Sequence, residues 1–134
     1  RINDMAKRRF NPPDLADATE ETVGPYKLAL VYRHITNDEG PTVHVFGPVN
    51  GEEREILRFD CFKNGPHYHK GISYLDEPVT MIDAPDSLAW VMEELGQRFP
   101  DYLTESQIES ELPENWQAKT ASAIETFKAK AKEW

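Results

Sequence analysis

Two histidines that flank one tyrosine, in the run His67-Tyr68-His69, have the spacing that most favours metal chemistry in this chain. Residues two apart on a β-strand project from the same face, so both imidazoles can reach one metal ion. The carboxylate of Asp60 would join them if its strand paired with theirs. We therefore predict one site formed by Asp60, His67 and His69, which either holds a divalent metal such as zinc or acts as an acid/base pair.

A hairpin would position these three side chains. Phe59 and Cys61 alternate with the other residues of segment 58–62, and this period of two is typical of a β-strand. The dipeptide that begins at Asn64 is Asn-Gly, which favours a turn. Pro66 lacks an N–H group and weakens a two-residue turn, so we expect a four-residue loop followed by a second strand.

The expected register pairs Phe62 with His67 and Asp60 with His69. Directly paired residues of an antiparallel ladder lie on the same face, so this register brings both imidazoles and the carboxylate together. A slip of one residue would move both histidines to the opposite face.

Arg58 shares the predicted site face and is the fourth candidate catalytic residue. It would either neutralise Asp60 in an ion pair or hold an anionic substrate, and the sequence favours neither role. Cys61 lies on the other face and is expected to be a buried, inert core residue. The turn that begins at residue 50 aligns His44 with Leu57, which places His44 on the Cys61 face, away from the site.

Hydrophobic alternation between residues 26 and 75 predicts an antiparallel meander of four strands. Residues 1–24 are rich in charge and poor in apolar side chains, which favours an N-terminal arm, and residues 25–134 form the single α+β domain. A short extra strand is expected near residues 79–82.

The apolar period changes from two to 3.6 after Pro78. This change predicts a helix over about 87–99, ended by Pro100, and C-terminal helices from about residue 104, the last over 114–134. We expect two or three helices in all, packed on one face of the sheet.

The formal net charge of −9 repels polyanions and disfavours nucleic acid as a partner. No apolar run reaches the roughly 20 residues that span a bilayer, so no membrane partner is expected. The single cysteine excludes a disulfide within the chain, and we take a cytoplasmic location as the expectation.

The order of these motifs resembles the TumE toxin family of bacterial toxin and antitoxin modules, over about residues 26–99. The matching pieces are Phe59-Asp60, Asn64-Gly65, His67-Tyr68-His69, Glu77-Pro78 and Ser87-Leu88. The resemblance implies a small bacterial growth-inhibiting protein, and a ribonuclease is one activity it suggests.

Two interpretations of the function follow. In the first, a metal-assisted hydrolase or ribonuclease-type toxin uses a divalent ion on Asp60, His67 and His69, and Arg58 steadies an anion. In the second, the protein is a noncatalytic accessory subunit or binding protein that docks a larger bacterial enzyme or an antitoxin through its arm and the Trp134 end. The clustered side chains favour the first interpretation and the net charge favours the second.

Overall fold

A computed structural model describes residues 10–134; the first nine residues of the predicted arm lie outside the described part. The described residues form six strands followed by two helices. In chain order these are β1 (Thr19–Val23), β2 (Tyr26–Ile35), β3 (Asp38–Val49), β4 (Glu52–Asp60), β5 (His67–Lys70), β6 (Thr80–Met81), α1 (Ser87–Glu105) and α2 (Trp116–Ala131).

The strands form one antiparallel sheet in the order β1-β2-β3-β4-β5-β6. The predicted α+β class and antiparallel meander are confirmed, but the sheet has six strands and not four. Strand β1 lies within the predicted arm and pairs with β2 through a turn at Gly24, whose φ of 59° suits glycine. Its sequence Thr-Glu-Glu-Thr-Val has one strongly apolar residue, so alternation did not reveal it. Strand β6 is the short strand expected near residues 79–82.

One face of the sheet packs against the helices and forms the apolar core. The rings of Phe59 and Tyr102 meet edge to face with centroids 5.4 Å apart, which joins β4 to α1. Burying a side chain such as Leu30 or Phe59 completely contributes about 1.5–3 kcal/mol to folding. The core residues with no exposed surface include Leu28, Leu30, Val43, Val45, Leu57, Phe59, Val91, Phe99 and Leu103.

Helix α1 begins after Asp86, whose carboxylate accepts the backbone N–H of Ala89 at 3.1 Å. The predicted end at Pro100 is wrong, because the helix continues to Glu105. A kink at Arg98, with φ −130° and ψ 23°, accommodates the proline, which cannot donate a backbone hydrogen bond. Helix α2 lies within the predicted range 114–134. Neither helix of the described residues has the length and apolar character needed to cross a bilayer.

A β-bulge separates the two halves of the β3–β4 ladder. Val45 pairs with Leu57, whereas the next residue, Phe46, pairs with Glu55, so Ile56 is an extra residue on β4. The extra residue inverts the alternation of side chains along β4. As a result, Glu55 projects from the polar face of the sheet, opposite the helices.

Candidate functional site

The ladder between β4 and β5 sets the positions of the candidate residues. Asp60 pairs with His67 and Arg58 pairs with His69. The predicted pairs, Asp60 with His69 and Phe62 with His67, are therefore wrong by two residues. Because two residues is one full period of a strand, the carboxylate and both imidazoles still lie on one face.

The register differs because residues 61–66 form a longer loop than the expected four residues. The chain after β4 stays beside β3: Cys61 donates its N–H to the Pro41 carbonyl at 2.8 Å, and Lys63 donates to Glu39 at 2.9 Å. The chain therefore continues along β3 as far as Lys63, although its pairing with β5 ends at Asp60. The crossing to β5 begins only after Lys63, which shifts β5 by two residues.

Asp60, His67 and His69 form a compact, largely buried group. Oδ2 of Asp60 lies 3.2 Å from Nε2 of His67 and 3.2 Å from Nε2 of His69. The Asp60 side chain is 2% exposed, and the side chains of His67 and His69 are 21% and 10% exposed. Nδ1 of His67 lies 2.8 Å from the Gly65 carbonyl, which fixes the ring orientation. His67 is thus the site residue with the most access to solvent.

The second oxygen of Asp60 is held by two residues that the sequence analysis missed. Arg33 donates from Nη1 to Oδ1 at 2.7 Å, and Thr42 donates from Oγ1 to Oδ1 at 3.0 Å. Thr42 is the direct partner of Asp60 on β3, and Arg33 lies opposite Gly40, which has no side chain to separate it from β4. Gly40 in β3 is a sequence signal for this contact, but it is informative only once the β2–β3 register is known.

The environment keeps the Asp60 carboxylate charged. Burial alone would raise the pKa of Asp60, but hydrogen bonds from His67 and His69 and the charge of Arg33 hold that pKa far below its ordinary value. The hydrogen bond to Asp60 raises the pKa of His67, and partial burial opposes that increase. The carboxylate therefore has the protonation state that a metal ligand needs across the neutral range.

The distances in this group suit a small divalent ion. Ligand bonds of about 2.0–2.2 Å in a tetrahedral zinc site place the ligand atoms about 3.4 Å apart, close to the two 3.2 Å separations from Asp60 to His67 and His69. One potential ligand atom from each residue lies within 4.8 Å of the others. The group could therefore hold a metal ion, as its residue types predict.

Arg58 forms an ion pair with Glu55 and not with Asp60. Its Nη2 and Nε donate to the two carboxylate oxygens of Glu55 at 2.6 Å and 3.0 Å, and Nη2 also donates to the Asn11 carbonyl at 3.0 Å. The predicted alternative of an ion pair with Asp60 is wrong, because Arg33 takes that position and the bulge turns Glu55 toward Arg58. Arg58 is buried by these contacts.

His44 belongs to the same cluster as Glu55. Its Nδ1 lies 2.6 Å from Oε2 of Glu55, and it pairs with Arg58 in the ladder. The predicted position opposite Leu57 is wrong, because the bulge shifts the register by one residue. Burial raises the pKa of Glu55, but hydrogen bonds from His44 and Arg58 outweigh burial and lower it below its ordinary value.

Cys61 lies on the apolar face, as predicted. It is 4% exposed and belongs to the core that contains Phe59 and Tyr68. Burial is the main reason that the pKa of its thiol is raised to about 12. Such a thiol is almost entirely protonated at neutral pH.

Comparison with known proteins places the chain in a family but assigns no chemistry. No curated protein and no solved structure gives a significant match. A family model described as a domain of unknown function, DUF7700, matches residues 21–130. The matched range contains Asp60, His67 and His69 together with Arg33 and Thr42. The chain therefore belongs to the DUF7700 family.

Proposed function

We propose that Asp60, His67 and His69 bind one divalent ion and that this centre hydrolyses a small substrate. The observation that supports the proposal is the position of Asp60 Oδ2, 3.2 Å from Nε2 of both imidazoles. Three protein ligands leave one tetrahedral position open, which is the arrangement of catalytic zinc sites. A bound ion would supply Lewis acidity and lower the pKa of a water molecule at that position.

Hydrogen bonds from surrounding groups orient Asp60 and His67 as metal ligands. Arg33 and Thr42 hold Oδ1 of Asp60, so Oδ2 is directed toward the histidines. The Gly65 carbonyl accepts the N–H at Nδ1 of His67 and thereby favours Nε2 as the metal-binding nitrogen. We take zinc as the first ion to test, and iron(II) as the second because two histidines and one carboxylate also suit that ion.

The charge of the protein guides the choice of substrate. The net charge of −9 disfavours a polyanion, so a small neutral ester is the first substrate to test. RNA is the second, because the resemblance to the TumE toxins suggests a ribonuclease. In that case, expression in a bacterial host is expected to slow growth, and the His69→Ala variant is expected to relieve the inhibition.

A noncatalytic binding protein is the second candidate function. It is favoured by the hydrogen bonds that already satisfy Asp60, because Arg33, Thr42 and the two histidines together form a network that could stabilise the sheet without any ion. In this case a protein partner, such as an antitoxin or a larger enzyme, would provide the biological activity.

Hydrolysis of p-nitrophenyl acetate and of RNA by tag-free, zinc-loaded protein distinguishes the two functions. We expect zinc-dependent turnover of at least one substrate by the wild type, and a decrease of about 100-fold or more in His67→Ala and His69→Ala. His34→Ala is the matched control, because this histidine is exposed and lies outside the site. Zinc binding without turnover of either substrate would contradict the hydrolase and support the binding protein.

A further inference from the structure

The polar face of the sheet carries a second group of side chains, centred on His44 and Glu55. His44 has no exposed surface, and its Nδ1 lies 2.6 Å from the Glu55 carboxylate. Its other ring nitrogen, Nε2, is buried and has no hydrogen-bond partner among residues 10–134. Buried polar atoms are nearly always paired, so a ligand is one explanation for this nitrogen.

His44 lies in the wall of a cleft of about 260 Å³ on this face of the sheet. Nδ1 of His44 is directed toward Glu55 on β4, so Nε2 lies on the side of the ring away from Glu55. The other walls of the cleft are residues 31–34 of β2 and the segment before β1, including Asp14 and Asp17. This volume is large enough for a small organic group.

The charged side chains that line the cleft determine which charge a ligand should carry. Asp14 and Asp17 are exposed, and neither forms an ion pair within the described range 10–134. The charge of Arg33, which also lines the cleft, is already balanced by Asp60 at 2.7 Å. Among residues 10–134, the side chains that line the cleft therefore carry an excess of negative charge, which favours a cation and disfavours an anion.

His44 adds a requirement for a hydrogen-bond donor. The Glu55 carboxylate accepts from Nδ1–H of His44, and in the tautomer with its hydrogen on Nδ1 the other nitrogen, Nε2, is an acceptor. A bare metal ion fits poorly, because Asp60, His67 and His69 are the one set within residues 10–134 that gathers three ligand atoms closely enough. We propose that the cleft binds a small ligand with a protonated amine, whose N–H groups donate to Asp14, Asp17 and Nε2 of His44.

Three probes with the same four-carbon chain test this proposal: n-butylamine, which is protonated at neutral pH, 1-butanol and butyrate. Nuclear magnetic resonance of the tag-free chain would follow the ring nitrogens of His44 and the backbone amides of residues 14–17 during each titration. We expect saturable shifts with butylammonium alone, with a dissociation constant of about 1 mM because exposed ion pairs contribute little. The Nε2 signal of His44 should move as it gains a hydrogen bond.

Paired variants separate the site from the general charge of the protein. The Asp14→Asn/Asp17→Asn double variant should weaken butylammonium binding by about tenfold or more, whereas Glu52→Gln/Glu53→Gln, which removes two exposed charges elsewhere, should not. His67→Ala should keep the binding, since that residue lies outside the cleft. Equal responses to the three probes, an absence of saturable shifts, or equal losses in the two double variants would overturn the proposal.

Discussion

At the scale of the residue, the two carboxylate oxygens of Asp60 have different partners. Oδ1 accepts hydrogen bonds from Arg33 and Thr42, and Oδ2 faces His67 and His69. The sequence could predict that Asp60, His67 and His69 lie together, because alternation in strands is insensitive to an error of two positions in register. It could not predict Arg33, because that contact depends on the pairing of a strand 27 residues earlier in the chain.

Removal of the Thr42 hydroxyl tests the positioning of Asp60. Thr42→Val keeps the shape of the side chain and loses the hydrogen bond to Oδ1, so the carboxylate is held less firmly. Substitutions of residues that orient metal ligands typically cost about 10–100-fold in affinity, and we expect zinc affinity measured by chelator competition to fall within that range. Thr120→Val is the matched control, because Thr120 is equally buried and its hydroxyl forms no hydrogen bond within the described chain. Equal affinities in the two variants would contradict the positioning role.

The affinity for zinc should depend on pH through His67. The hydrogen bond to Asp60 raises the pKa of His67 above its ordinary value of about 6.5, and zinc requires the neutral imidazole. Zinc affinity should therefore keep rising above about pH 6.5, by about tenfold per pH unit below the raised pKa. Chelator competition at a series of pH values measures this slope. An affinity that is constant from about pH 5.5 to 7.5 would argue against imidazole ligands.

The same pKa shift has the opposite effect on the stability of the metal-free protein. A raised pKa in the folded state means that protonated His67 stabilises the fold. This contribution is fully present below about pH 6.5 and is lost as the pH rises through the raised value. Urea unfolding should show the loss in the wild type without metal, and His67→Ala should not show it.

At the scale of the element, the decisive feature is the contact of residues 61–63 with β3. The Asn64-Gly65 turn is compatible with more than one loop length, so the sequence could fix the face of the site but not its register. The sequence also could not predict the bulge at Ile56, because isoleucine is an ordinary residue in a strand. These two local features account for the errors at His69 and His44.

Gly40 allows this close contact between β3 and the chain after β4. A Cβ atom at position 40 would lie 2.2 Å from the Cys61 carbonyl oxygen and 2.9 Å from Cα of Phe62, and backbone atoms cannot move aside without cost. We expect Gly40→Ala to lower the free energy of unfolding by about 1–3 kcal/mol in urea and to weaken zinc binding, because Asp60 precedes the displaced segment. The control is Gly65→Ala, where the nearest atom is 3.8 Å away. Equal stabilities of the two variants would show that the contact is unimportant.

At the scale of the whole molecule, the sheet has two unlike faces. Helices cover the apolar face, whereas the polar face carries the Asp60 group and the Glu55 group, with the Asn11 carbonyl bound to Arg58. The change of period in the sequence predicts the α+β class. It does not predict the number of strands, because β1 is polar, or the length of α1, which continues through Pro100 by means of a kink.

The separation of the two faces predicts that Cys61 is unreactive. It is buried beside Phe59 on the helix side, and the pKa of its thiol is about 12. A thiol reagent should label the native protein at least about 1,000-fold more slowly than the urea-unfolded protein, because reaction requires opening of the core. Labelling at comparable rates would place Cys61 at the surface and contradict the assignment of the faces.

A calorimetric titration of tag-free protein with zinc at neutral pH measures whether Asp60, His67 and His69 hold an ion. We expect one ion per chain, loss of binding in His67→Ala and in His69→Ala, retention in His34→Ala, and a circular dichroism spectrum that is the same in all four proteins. No binding by the wild type, or binding retained by both site variants, would contradict a metal centre at Asp60, His67 and His69.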